Sequence, residues 1–151
     1  MTLRAIVLDT GPLGLITNPK ASADGLACWQ WARNHIAGGV EVFLPEIADY
    51  EVRRELLQAR LPNSIAVLDT LQTELDYLTL NTSVMRRAAE LWAEVRQAGR
   101  PTADRHALDG DVILAAQTLA LGYAPDEVVV ATTNIGHISR FVEARRWQDI
   151  L

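Results

Sequence analysis

At 151 residues, 49% hydrophobic and 22% charged, the chain is long enough to bury a core of its own as one domain spanning residues 1–151. No apolar run approaches the ~20 residues that cross a bilayer, so a membrane partner is not expected. A net charge of −5 excludes a broad basic face for non-specific nucleic-acid binding, yet is compatible with acids gathered in one metal-binding pocket.

Leu3–Leu8 is a short apolar run closed by Asp9-Thr10-Gly11-Pro12, as expected of a central strand buried on both faces and followed by a turn. Asp9 interrupts the opening apolar segment, and Thr17-Asn18-Pro19-Lys20 is no small-residue cleavage site, so the start is not expected to be a secretory signal. Residues 23–37 read as a helix stopped by Gly38-Gly39, and 40–44 as a second strand. A helix over 46–60 follows, with Ala48, Val52, Leu56 and Ala59 on its apolar face. Residues 63–74 make a further helix and 77–80 a short strand. Thr82 is the expected N-cap of a helix over 83–98, where Trp92 joins the apolar face, and Gly99 ends it.

The polar stretch 100–110 reads as a loop, with Asp109 as N-cap of a strongly apolar helix over 111–121 that Gly122 terminates. Val128–Ala131 is another buried strand, followed by Thr132-Thr133-Asn134. Strands alternating with helices predict an α/β protein, a three-layer α/β/α sandwich around a central, mainly parallel sheet. Cys28 has no partner for an internal disulfide and no second sulfur for zinc, so a buried, inert thiol in a cytoplasmic protein is expected.

In open α/β sheets, functional groups collect at the carboxyl ends of the strands. Asp9 closes the first strand, Asn134 follows the last by a few residues, Asp111 lies in the first turn of its helix, and Glu51 sits one turn into the helix after the second strand. Two or three carboxylates and an amide suit Mg²⁺ or Mn²⁺, which prefer oxygen ligands. Such acids clustered without a cation would raise one another's pKa. Each residue also has a structural reading: an Asx turn at Asp9, a helix-dipole role for Asp111, a Glu51–Arg54 pair, a turn residue at Asn134. Glu55 lies nearer the apolar stripe than Glu51, so either Glu55 flanks the site or Glu55 is the ligand. His137 reads as a surface residue. Trp29 and Trp31, two apart in one helix, cannot face the same way, and the exposed one suits an oligomer interface. The pairs Arg53-Arg54, Arg86-Arg87 and Arg145-Arg146 read as solvated surface or, for the first two, as guides for phosphate.

Four segments resemble the PIN-domain family: Val7-Leu8-Asp9-Thr10-Gly11-Pro12-Leu13, Leu44-Pro45-Glu46-Ile47-Ala48-Asp49-Tyr50-Glu51, Asp111-Val112-Ile113-Leu114-Ala115-Ala116 and Ala131-Thr132-Thr133-Asn134-Ile135-Gly136-His137. The resemblance spans essentially the whole chain. It implies an Mg²⁺- or Mn²⁺-dependent endoribonuclease acting on single-stranded or structured RNA, with Asp9, Glu51 and Asp111 as metal ligands and Asn134 at the fourth catalytic position. It also implies Thr10, Thr132 and Thr133 as groups positioning water or substrate. Many small members are toxins of VapBC-type pairs, which implies an antitoxin partner and a homodimer. Two alternatives stand beside this reading. One is a binding module that has kept the fold without turnover, with Asn134 as the symptom. The other is a small-molecule phosphohydrolase using Asp9 as nucleophile, for which Gly11 stands where a second acid is usual.

Overall fold

A computed structural model describes residues 2–18, 21–99 and 105–151. Five parallel strands, β1 (Ala5–Leu8), β2 (Glu41–Pro45), β3 (Asp76–Leu78), β4 (Val128–Thr132) and β5 (Ala144–Arg146), form one sheet in the order β3-β2-β1-β4-β5. All four residues of β1 and all five of β4 are buried, because helices cover both faces. Ile6, Leu8, Val42, Leu44, Val129 and Ala131 share one core cluster with residues of α1 (Thr10–Thr17), α2 (Ala23–Ala37), α3 (Glu46–Gln58) and α4 (Pro62–Glu74). Their alternates Ala5, Val7, Phe43, Val128 and Val130 join Val84, Ala88 and Leu91 of α5 (Thr82–Gln97) and Val112, Ala115 and Ala116 of α6 (Arg105–Leu119) in a second cluster. The strand period of two therefore sorts the apolar side chains into two cores, and the three-layer expectation holds.

The helix over 23–37 has the expected span and glycine stop, Gly39 leaving the chain at φ 91°; its start is capped by Ser22, which accepts from the Gly25 amide at 3.1 Å. Elsewhere tertiary contacts redraw the boundaries. A helix, α1, stands where a turn was expected, because Asp9 caps it and Pro12 falls in the first turn, where its missing N–H costs nothing. The cap of α5 is Asn81, whose side chain accepts from the Val84 amide at 2.8 Å, and Thr82 is already helical. The helix expected to begin at residue 111 begins at Arg105, so Asp109 is inside α6 rather than its N-cap, and Asp111 lies about two turns in. The start of the expected loop, residues 100–104, lies outside the described residues. Strand β5, on the sheet edge, was not foreseen: its Ala-Arg-Arg sequence carries no apolar run. Ala59 is exposed beyond the end of α3, and Trp92 is half-buried with the Arg96 guanidinium 5.4 Å from its ring centre.

Two buried polar side chains tie these layers together. Gln117, 2% exposed, donates to the Leu78 carbonyl at 2.8 Å and accepts from the Ile47 amide at 3.3 Å, joining α6 to β3 and to the start of α3. Asp49, 6% exposed, accepts from Tyr77 Oη at 2.7 Å and Arg53 Nε at 2.9 Å. Gln117→Leu keeps the volume and strands both backbone groups, so it should destabilise the fold by about 1–3 kcal/mol in urea unfolding. An unchanged midpoint would show that these bonds carry no net stability.

Candidate active site

The order β3-β2-β1-β4-β5 means that the chain winds outward from β1 in one direction and then crosses back to β4 on its other side. The connections after β1 and β4 therefore diverge, opening a crevice at their carboxyl ends. Asp9 and Thr10 leave β1 into this crevice; Thr132, Thr133 and Asn134 leave β4 into it. Glu51 enters from α3 and Asp111 from α6. All of them line one cavity of about 410 Å³. A larger cavity of about 730 Å³ lies between α2 and the C-terminal residues, walled by groups such as Trp31, His35 and Trp147 and by no carboxylate side chain.

Asp9 is held from two sides. Its Oδ1 accepts from the Thr10 amide at 2.7 Å and from Thr10 Oγ1 at 3.0 Å. The buried Thr132 hydroxyl lies 2.9 Å from Asp9 Oδ2 and equally 2.9 Å from the Asn134 carbonyl oxygen, while accepting from the Asn134 amide at 3.1 Å. One hydroxyl proton serves one acceptor at a time, and the ionised carboxylate is the stronger. Thr132 thus links the end of β1 to the turn carrying Asn134. Asn134 is itself exposed on the rim, and so is Thr133.

Electrostatics mark the other two acids. Burial pushes the Asp111 carboxyl from its ordinary 3.8 up to about 6; the Asp9 charge adds to the rise and the Arg140 guanidinium opposes it. Glu51 is raised by burial, then by Asp9, with Arg54 pulling it back and Asp111 and Glu55 adding smaller upward pushes. Arg54 Nη2 lies 3.8 Å from Glu51 Oε2, so the Glu51–Arg54 pair exists, but the glutamate still faces the cavity. Glu55 is exposed and absent from the cavity wall, which separates the two glutamates: Glu51 is the one brought to the other acids. Gly110 makes room for it, since a Cβ there would stand 3.1 Å from Glu51 Oε2.

Among the described residues no three histidine, cysteine, aspartate or glutamate side chains converge closely enough to form a finished metal cage. The donor set is nonetheless the right kind: three carboxylates of hard oxygen ligands, two of them driven upward in pKa by burial and by the Asp9 charge. Hard oxygen donors of this kind fit a divalent cation.

The structure adds residues to which the sequence reading gave no role in the site. His137 lines the cavity together with Gly136 and Ile138. Arg140, in the 3₁₀ turn Ile138–Arg140, comes near enough to act on Asp111. Gly11 lies so close to Thr133 that a Cβ would be 2.9 Å from Thr133 Cβ and closer still to Cγ2 and Oγ1. The tryptophans are not part of it: Trp31 donates to the Ile150 carbonyl at 2.9 Å, and Trp29 lies against α4 with Arg33 over its ring. Both are half-buried. Cys28 is buried as expected, with burial pushing its thiol up to about 12.

A five-stranded parallel sheet sandwiched between helices, with its acids gathered at the switch point, is the PIN-like α/β/α fold that the four segments implied. Among solved structures it is similar to VapBC2 from Rickettsia felis bound to a DNA fragment from their promoter (TM-score 0.70, 16% identity, 95% of this chain and 98% of that one). It is also similar to VapBC-1 from nontypeable Haemophilus influenzae (TM-score 0.68, 14% identity, 96% and 99%) and to DNA-bound VapBC from Salmonella typhimurium (TM-score 0.67, 17% identity, 97% and 99%). At these identities the likeness is one of fold. No protein-family model and no curated protein matches the sequence. Among the described residues no helix is long and apolar enough to cross a membrane.

Proposed function

We propose that this protein is an Mg²⁺- or Mn²⁺-dependent endoribonuclease. The observation that carries the reading is the meeting of Asp9, Glu51 and Asp111, from three separate elements, in one cavity at the topological switch point. These three carboxylates hold the metal. When bound, the cation supplies Lewis-acid chemistry, neutralising charge on the phosphate and lowering the pKa of water. The chain's own groups do the positioning. Thr132 and Thr10 fix the Asp9 carboxylate, and Asn134 offers a neutral oxygen at the rim, with Thr133 beside it for water or a phosphate oxygen. The fold shared with VapBC assemblies supports a toxin paired with an antitoxin protein; action in the cytoplasm and as a homodimer belong to the same proposal.

The purified protein should cut a single-stranded RNA with Mg²⁺ or Mn²⁺ and stop in excess chelator. Cleavage undiminished by chelator would remove the metal; no cleavage under either condition would make the chain a binding module. Asn134 allows a finer test. Asn134→Asp adds the charge that an amide lacks, so calorimetric titration with Mn²⁺ should show tighter binding and activity should rise at low metal concentration. Identical affinity and stoichiometry would put Asn134 outside the metal site and leave it shaping the turn, as its backbone bonds to Thr132 already do.

A further inference from the structure

A polyanion must reach a pocket of three acids on a chain of net charge −5, so the attraction has to be local. Two arginines stand near the pocket's acids on different elements. Arg54 rises from α3 beside Glu51, its guanidinium stacked 5.2 Å from the centre of the exposed Tyr50 ring. Arg140 is carried by a 3₁₀ turn whose buried Ile138 lines the cavity, and it acts on Asp111. Both side chains reach solvent: Arg54 is 54% exposed and Arg140 is exposed. Of the other arginines considered as phosphate guides, Arg53 is engaged with Asp49 and Asp69, and Arg87 with Glu90.

Building on the ribonuclease reading, we propose that Arg54 and Arg140 grip RNA phosphates on either side of the scissile bond, so that the strand crosses the cavity from α3 to the 3₁₀ turn. Guanidinium is suited to this, since its fork pairs with phosphate oxygens through two parallel hydrogen bonds. The Arg54 contact with Glu51 is a long one, so Arg54 is held only loosely to the pocket's acid. Both residues are positioning groups: they hold the polymer in register over the acids and take no part in bond breaking.

The test uses a fluorescent single-stranded RNA 12-mer and anisotropy in Ca²⁺, comparing the intact protein with Arg54→Gln, Arg140→Gln, the double variant, and Arg54→Lys and Arg140→Lys. Each Gln variant should weaken binding by roughly five- to tenfold. Each should also flatten the slope of log affinity against log salt by about 0.7, the value for one lost single-strand phosphate contact. The Lys variants should recover the slope and part of the affinity. An arginine that merely offset Asp111 or Glu51 would leave the salt slope alone. Wild-type slopes and affinities in all Gln variants of an RNA-cleaving protein would overturn the grip and leave the nuclease standing. A wild-type chain that neither binds nor cleaves RNA would overturn both.

Discussion

Asp111→Asn is expected to abolish cleavage, by about 100-fold or more, while making the metal-free protein more stable. The two effects share one cause. Asp111 is ionised at neutral pH in a partly buried cavity facing Asp9, and that cost appears as its pKa of about 6 against an ordinary 3.8. A carboxyl whose folded-state pKa is raised favours the fold below about pH 4, and that contribution disappears as the pH rises through 6. The full rise corresponds to about 3 kcal/mol, and contact with water at the cavity mouth reduces it to about 1–2 kcal/mol. Asparagine cannot ionise, so in chelator the variant should unfold at higher urea than wild type at pH 7.5, and the two should converge at pH 4. A variant less stable than wild type at pH 7.5 would make Asp111 a structural residue, and one that cuts RNA normally would remove it from the site.

The second large effect is expected at Gly11. Alanine in a helix is ordinarily better than glycine by about 0.5–1 kcal/mol, and α1 contains two glycines that test this side by side. Gly14 faces open space, with nothing within 4 Å of a Cβ built there, so Gly14→Ala should stabilise by that amount. At Gly11 the new methyl would lie 2.9 Å from Thr133 Cβ. The turn 132–134 would have to move, taking the Thr132 hydroxyl away from Asp9 and Asn134 away from the rim. Overpacking of this kind costs about 1–3 kcal/mol, and displacing the site should cut activity by at least about tenfold. Denaturation and cleavage assays on the two variants decide it: equal behaviour would show that the α1–turn contact yields without consequence.

The same glycine shows where sequence reading stops. Asp9-Thr10-Gly11-Pro12 carries a strong turn signal, and two glycines with a proline in eight residues give α1 little intrinsic helix preference. The helix forms because Leu13 and Ile16 bury completely against the sheet and because Asp9 caps it, both consequences of where β1 delivers the chain. Glu51 and Glu55 are likewise one turn apart on the same helix, and periodicity could not choose between them. The choice came from α6, whose Gly110 admits the Glu51 carboxylate beside Asp111.

What the sequence determined by itself is the run of local preferences: the buried strands with their β-branched apolar residues, α2 with its glycine stop, and the acids placed just after strands or within the adjoining helices. Those preferences act within a few residues and are written in neighbouring side chains. The tertiary structure alone decided α1, the early start of α6, the edge strand β5 and the approach of Arg140 to Asp111. Each of these depends on contacts between segments far apart in the chain, whose free energy of burial outweighs the weak local propensities of the residues involved.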